Sequence, residues 1–267
     1  MLTATFSLFR GLSESAEGRL WQSGVFSWDQ FMLHGDECFS PQKTAAVRDQ
    51  IPEAHAALSA GLADWFINRL KGAARARIYP HFRDGIRFLD IETTGLGQND
   101  PITTIAVYDG FQLRVFIEGV NLHEFPQALK GAALLVTFNG SRFDLPRLRR
   151  RFNIDLAYPH LDLLPVVKSL GYHGGLKACE VKMRLRRQVK EDLNGADAVQ
   201  LWNRYSCHGD CDALRLLTAY NCQDVLSLES ILVKIYNQEM GAYPLFKRMV
   251  PTNEPDVWGP FLQLFDN

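Results

Sequence analysis

The rhythm of apolar and polar positions changes twice along the chain. Up to about residue 80, apolar residues recur at helical intervals. From Ile86 to Phe138 they alternate with polar residues or run continuously in short blocks, as strands do. Beyond Phe138 the helical interval returns. In the first region, Gly11 to Phe31 predicts two short helices around a turn. The first carries Leu20 and Trp21 and stops at Gly24, a C-terminal cap residue. The second opens with Ser27-Trp28-Asp29-Gln30, a capping-box sequence. Ala54 to Leu70 predicts one helix whose core face holds Leu58, Leu62, Trp65, Phe66 and Leu70. Lys71, Arg75, Arg77, Arg83 and Arg87 then make a basic connector that a solvated linker explains.

The middle region predicts strands at Phe88–Glu92, Thr103–Tyr108, Gln112–Ile117 and Leu134–Phe138, with Asp109-Gly110 turning the second into the third. Asn139-Gly140 makes a turn, and Pro146 suits the first turn of a helix running to Phe152. The most regular helix is Ala213–Tyr236, with an inward stripe of Ala213, Leu217, Tyr220, Asp224, Leu228, Ile231 and Ile235. The expected architecture is α/β: a mixed sheet flanked by helices over residues 81–240, preceded by a small helical region over 1–80. Residues 241–267 carry no motif. The pattern Gly11-Leu12, Leu20-Trp21, Gly24-Val25, Trp28 and Phe31 weakly resembles a helix-hairpin-helix unit, with Ser13-Glu14-Ser15 where its Gly-rich hairpin would be; a small packing module explains it better.

Composition changes this picture little. The chain has 267 residues and a net charge of −1, so any nucleic acid must be held by a local basic patch. Five cysteines, scattered and odd in number, fit a reducing compartment rather than a disulfide framework. The N-terminus is a poor signal peptide, and no apolar run approaches the ~20 residues that span a bilayer. A cytoplasmic protein with no membrane partner is expected.

The acidic residues change it a great deal. In Phe88-Leu89-Asp90-Ile91-Glu92-Thr93-Thr94-Gly95, period-two alternation puts Asp90 and Glu92 on one face of a strand. Two carboxylates side by side there repel and lose hydration, an arrangement that a hard divalent cation, Mg²⁺ or Mn²⁺, resolves. Asp144 lies at a strand-to-helix junction, where it is equally an ordinary N-cap. Asp224 stands in its helix where a Leu is expected, and a buried unpaired carboxylate costs several kcal/mol or changes its protonation. Tyr220 is one turn earlier on the same face.

The set Asp90-x-Glu92, Asn139-Gly140-x-x-Phe143-Asp144 and Tyr220-x-x-x-Asp224 resembles the DEDD superfamily of 3′→5′ exonucleases on the ribonuclease-H-like fold. A Tyr four residues before the last Asp, with Ala219 five before it, places the resemblance with the Tyr branch. Trp21 and Trp28, Phe138-Asn139-Gly140, His160-Leu161-Asp162-Leu163-Leu164, Gly175-Leu176-Lys177-x-x-Glu180, Leu201-Trp202-x-x-Tyr205 and Tyr220-Asn221-x-x-Asp224-Val225 are similar to the YprB-type ribonuclease-H-like family. The resemblance implies hydrolysis of phosphodiesters by two Mg²⁺ or Mn²⁺ ions. Asp90, Glu92, Asp144 and Asp224 would be the ligands, with Tyr220 orienting water. Thr93, Asn139, Phe143, Arg147 and Lys177 would meet single-stranded DNA or RNA 3′ ends. An endonucleolytic or structure-selective nuclease, or a non-catalytic nucleic-acid-binding subunit, are the alternatives.

Two basic groups offer phosphate contacts: Arg147, Arg150 and Arg151 on one helix face, and Lys182, Arg184, Arg186, Arg187 and Lys190. Plain solvated surface explains both as well. Cys207-His208-x-x-Cys211 hints at zinc, with spacing irregular for a structural site. His173 reads as a surface-loop histidine, and Asp162 as an N-cap or a support to the metals.

Overall fold

In the computed structural model, which describes residues 1–187 and 193–241, five strands form one mixed sheet. They are β1 (Ile86–Thr93), β2 (Ile102–Tyr108), β3 (Leu113–Ile117), β4 (Leu134–Thr137) and β5 (His160–Asp162), ordered β3-β2-β1-β4-β5. The first three make an antiparallel meander, while β4 and β5 add parallel on the other side. The β2–β3 turn closes as its sequence predicts. Gly110 takes a φ of +94°, and the Asp109 carboxylate accepts from the N–H groups of Phe111 (3.0 Å) and Gln112 (2.8 Å). Lys190 and residues 242–267 lie outside the described residues.

The two faces of the sheet have separate cores. Ile86 and Phe88 of β1 join Ala106, Tyr108 and Val136 in one cluster. Leu89 and Ile91 join Ile105, Val107 and Leu135 in another. The second face is covered by α7 (Phe125–Ala128) and α8 (Asp144–Phe152), through Phe125, Leu145 and Leu148. The first is covered by α12 (Cys211–Gly241), and its core continues into the N-terminal helices α1 (Glu14–Gln22), α2 (Trp28–Cys38), α3 (Pro41–Arg48), α4 (Ile51–Ser59), α5 (Ala63–Arg69) and α6 (Tyr79–Phe82). Helices α9 (Leu163–Ser169), α10 (Leu176–Lys182) and α11 (Gly195–His208) complete the fold.

Three local expectations need correction. The helix expected over Ala54–Leu70 is two, because Gly61 adopts a φ of +67° after α4 and ends it; Leu62, placed on the core face by the periodicity, is 51% exposed. Helix α12 is not one-sided: every residue from Tyr220 to Val233 is buried, so its stripe is one strip of a central helix. The basic connector is not a solvated linker. Arg75 donates from Nε to the Ile67 (3.2 Å) and Leu70 (3.0 Å) carbonyls. Arg87 donates to the Ala128 carbonyl at 3.2 Å. Arg77 is fully buried between Glu17 (2.5 Å) and Glu239 (2.6 Å). A guanidinium on a flexible stem reaches inward wherever carbonyls or carboxylates need donors.

The N-terminal region is tied to itself by polar anchors inside the core. The Trp21 and Trp28 indoles donate to the Ala4 (2.9 Å) and Thr5 (3.0 Å) carbonyls. Ser27 caps α2 by accepting from Gln30 N–H at 3.1 Å. The Gln30 side chain reaches back one residue further than a capping box requires, to the N–H of Phe26 at 2.7 Å. Among the described residues no helix is long and apolar enough to cross a membrane.

Candidate metal centre

The even-numbered face of β1 continues past the core. After Ile86 and Phe88 come Asp90 and Glu92, half-buried and on the side where α12 lies. The register of β1 with β2 shifts between Glu92 and Thr93, and such bulges re-aim side chains at sheet ends. Helix α12 brings Asp224 to the same place: one ligand atom from each of Asp90, Glu92 and Asp224 lies within 4.8 Å of the others. Asp144 falls outside that group but its charge reaches Asp90 and Glu92.

Electrostatics identify the cluster as a strained set of like charges. Burial, then the charges of Asp224 and Asp144, push Asp90 and Glu92 well above the usual carboxylate range. Burial raises Asp144 to about 7, although its own N–H and that of Ile91 favour the anion. Asp224 is raised to about 6 by burial, against the pull of Arg187. A divalent cation among the four would reverse each of these shifts. The donors are all hard carboxylate oxygens, a set that fits Mg²⁺ or Mn²⁺ and not a thiophilic metal. Cys207 and Cys211 are exposed and free, and no cysteine enters a metal-holding group among the described residues.

Supporting residues fix each acid. The Asn221 amide donates to Asp90 Oδ2 at 2.7 Å, and its carbonyl oxygen accepts from the Thr104 hydroxyl of β2 at 3.0 Å. Asp144 is set by the turn between β4 and α8. There Asn139 takes a left-handed φ of +64°, and Gly140 approaches so closely that a Cβ would meet that of Thr137 at 2.6 Å. Asp162 clamps the turn: it accepts from the N–H of Asn139 (2.7 Å) and Ser141 (3.2 Å). It also caps α9 through Leu164 N–H at 3.0 Å. Asp162 is thus the N-cap expected of it, and the same carboxylate holds the turn that leads to Asp144.

The remaining expected residues are dispersed around this centre. Tyr220 is buried, and burial together with Asp224, Glu92 and Asp90 pushes its phenol well above its ordinary value. Lys177 Nζ lies 4.9 Å from the Tyr220 ring centre. The Thr93 hydroxyl donates to the Gly95 carbonyl at 2.6 Å. Arg147 stacks 3.6 Å above the Phe143 ring and donates to the carbonyls of Phe143 (3.0 Å), Leu96 (2.9 Å) and Gly97 (2.8 Å). Arg150 contacts Gln98 and Asn99 of the same loop, and Arg151 pairs with Glu118 at 2.9 Å. The α8 arginines thus hold the loop that follows β1, and Arg151 holds the far end of β3. Sequence reasoning missed the bridging role of Asn221, whose signal was an amide between Tyr220 and Asp224. It also missed the inward turn of Arg187, grouped there with surface charge. Arg184 and Arg186 of that group are exposed.

A mixed sheet carrying acids on its central strand, faced by an acid from a long helix, defines a ribonuclease-H-like domain. A family model described as RNase H superfamily matches residues 87–236, and the chain belongs to that superfamily. Among solved structures, the family B DNA polymerase from the hyperthermophilic archaeon Pyrobaculum calidifontis is similar at 18% identity and a TM-score of 0.45. The match covers 62% of this chain and 27% of the polymerase chain. No curated protein matches the chain.

Proposed function

We propose that the protein is a divalent-metal-dependent nuclease that removes nucleotides from the 3′ ends of single-stranded DNA or RNA, a Tyr-type member of the DEDD exonucleases. The observation that carries this is the convergence of Asp90, Glu92 and Asp224 within 4.8 Å, with Asp144 close enough to raise Asp90 and Glu92. Asp90, Glu92 and Asp224, with Asp144 beside them, would hold the ions. The ions would supply a bound water of lowered pKa and offset the charge on the leaving 3′ oxygen.

The protein's own groups account for the rest. Burial pushes the Tyr220 phenol upward, and an ordinary phenol already titrates near ~10. A neutral phenol orients the attacking water by a hydrogen bond and does not take its proton. Asn221 keeps Asp90 in one orientation. Phe143, half-buried beside Asp144 with Arg147 over its ring, would stack on a terminal base, and stacking accepts any base. In the reaction, water oxygen bonds to phosphorus, the P–O3′ bond breaks and the 3′ oxygen takes a proton. A 5′-mononucleotide leaves a strand one unit shorter.

The test is degradation of 5′-end-labelled DNA and RNA oligonucleotides with Mg²⁺ or Mn²⁺ and with chelator. A metal-dependent ladder descending from the 3′ end is expected. Internal cuts would replace the exonuclease with an endonuclease on the same acids, and binding without cleavage would leave a nucleic-acid-binding subunit.

A further inference from the structure

One buried cation on the acidic face remains unexplained. Arg187 follows α10, and its side chain is 5% exposed. It lies between two carboxylates, Asp224 Oδ1 at 2.5 Å and Glu180 Oε2. Glu180 belongs to α10 and is fully buried, yet it is not among the acids that converge on a metal. The Arg187 guanidinium carbon is 5.6 Å from the Tyr220 ring centre, and Lys177 lies against the same ring. Three carboxylates and two cations therefore surround one tyrosine.

We propose that Arg187 binds the scissile phosphodiester, and that Glu180 is the residue that positions it. This deepens the nuclease reading and rests on it. Three observations support it. First, neutralising Asp224 needs a cation but no further anion. Burying Glu180 where its charge reaches Asp224 costs desolvation and repulsion, which a counter-ion role for Arg187 leaves unexplained and a need to fix the guanidinium explains. Second, Arg187 Nε and Glu180 Oε1 are buried and without hydrogen-bond partners among the described residues, so each keeps a polar atom that a ligand can meet. Third, the α8 arginines expected to meet phosphates are committed to loop carbonyls and to Glu118. Arg187 bonds one of the clustered acids directly, whereas Arg147 reaches Asp144 only through its charge. The planar fork of Arg187 matches two oxygens of a phosphate, which the point charge of a lysine does not.

The experiment compares full-length wild type, Arg187→Ala, Arg187→Lys and Glu180→Gln by steady-state cleavage, by Mn²⁺ titration calorimetry and by binding of a 3′-hydroxyl oligonucleotide in Ca²⁺. Arg187→Ala is expected to lose ~10²–10³-fold in kcat, the loss typical of a donor aimed at developing charge, with a much smaller change in KM. Mn²⁺ affinity should hold or tighten, since a competing cation has gone. Free guanidinium should restore part of the rate to Arg187→Ala and none to Glu180→Gln, which keeps its arginine and loses less. Arg187→Lys retains charge and guards against misfolding; it should recover little activity. Full activity in Arg187→Lys, or wild-type kcat in Arg187→Ala, overturns the proposal, because a simple counter-ion then suffices. If the wild type itself fails to cleave, the nuclease reading falls, and oligonucleotide binding decides Arg187. Weaker binding by both arginine variants sustains a phosphate contact; equal binding rejects it.

Discussion

Helix α12 carries buried carboxylates at two levels, and the fold treats them oppositely. At one level Asp224 meets Asp90 and Glu92, with Asp144 nearby, so acids face acids. Further along, Glu229 accepts from the Tyr79 hydroxyl at 2.5 Å, with Arg83 3.8 Å away. Near the helix end Glu239 pairs with Arg77, which also holds Glu17. Burial is common to both levels. The balance of the neighbours separates them: donors and cations stand beside Glu229 and Glu239, while Asp224 meets Asp90 and Glu92 as well as Arg187, an excess of negative charge that a divalent cation would offset. A buried acid points to chemistry when other acids crowd it.

The largest effect that sharpens this contrast comes from the acidic level. Asp90→Asn and Asp224→Ala should each take cleavage of labelled oligonucleotides below detection. Without metal, Asp90→Asn should melt no lower than wild type, since one repelling charge is gone. At the other level, Arg77→Ala should leave Glu17 and Glu239 uncompensated in the core. Breaking one partner out of a buried pair costs about 3–5 kcal/mol, readable in urea denaturation, and Mn²⁺ affinity should not move. An Arg77 variant that lost metal binding but not stability would erase the distinction.

The acidic level is where the sequence was most legible. Period-two alternation forced Asp90 and Glu92 onto one face. A single Asp in a Leu position of a regular helix could be read without coordinates, and so could the Asn139-Gly140 turn before Asp144. The partnered level was illegible for a physical reason. Arg77 and Arg187 stand in basic runs, and runs of charge usually face water. What turns them inward is Glu17, Glu239 and Glu180, brought from 60, 162 and 7 residues away in sequence. Side chains with flexible stems obey those long-range partners, and periodicity carries no trace of them. The break at Gly61 was missed because apolar spacing runs through it, and backbone freedom at one glycine outweighs a pattern.

A smaller effect follows from protonation. Asp144 at about 7 and Asp224 at about 6 are both raised from 3.8, and Asp90 and Glu92 are raised further in the same direction. The folded, metal-free protein therefore holds more protons than the unfolded chain between about pH 4 and pH 7. Stability from these groups is fully present below pH 4 and is lost as pH rises through that window. In chelator, the melting temperature should fall across this range. With Mg²⁺ or Mn²⁺ present the decline should flatten or reverse, because the metal prefers the deprotonated acids. Parallel melting curves with and without metal would show that the four acids are not its ligands.

The smallest effect probes how tightly the acidic level is held. Asn221 is fully buried and gives Asp90 its donor at 2.7 Å while taking the Thr104 hydroxyl at 3.0 Å. Asn221→Ala removes both bonds without touching a ligand. Loss of such support beneath a metal ligand typically costs 10–100-fold in affinity or activity, i.e. about 1.4–2.7 kcal/mol. Mn²⁺ calorimetry should show weaker binding in that range, and saturating metal should recover much of the cleavage rate. Asp90 also loses a bond that favours its anion, so the acid limb of the pH–rate profile should move to higher pH. A variant that weakened metal binding with no such displacement would mean that Asn221 fixes the position of Asp90 without tuning its charge. One that changed neither would remove Asn221 from the site and leave Asp90 held by β1 alone.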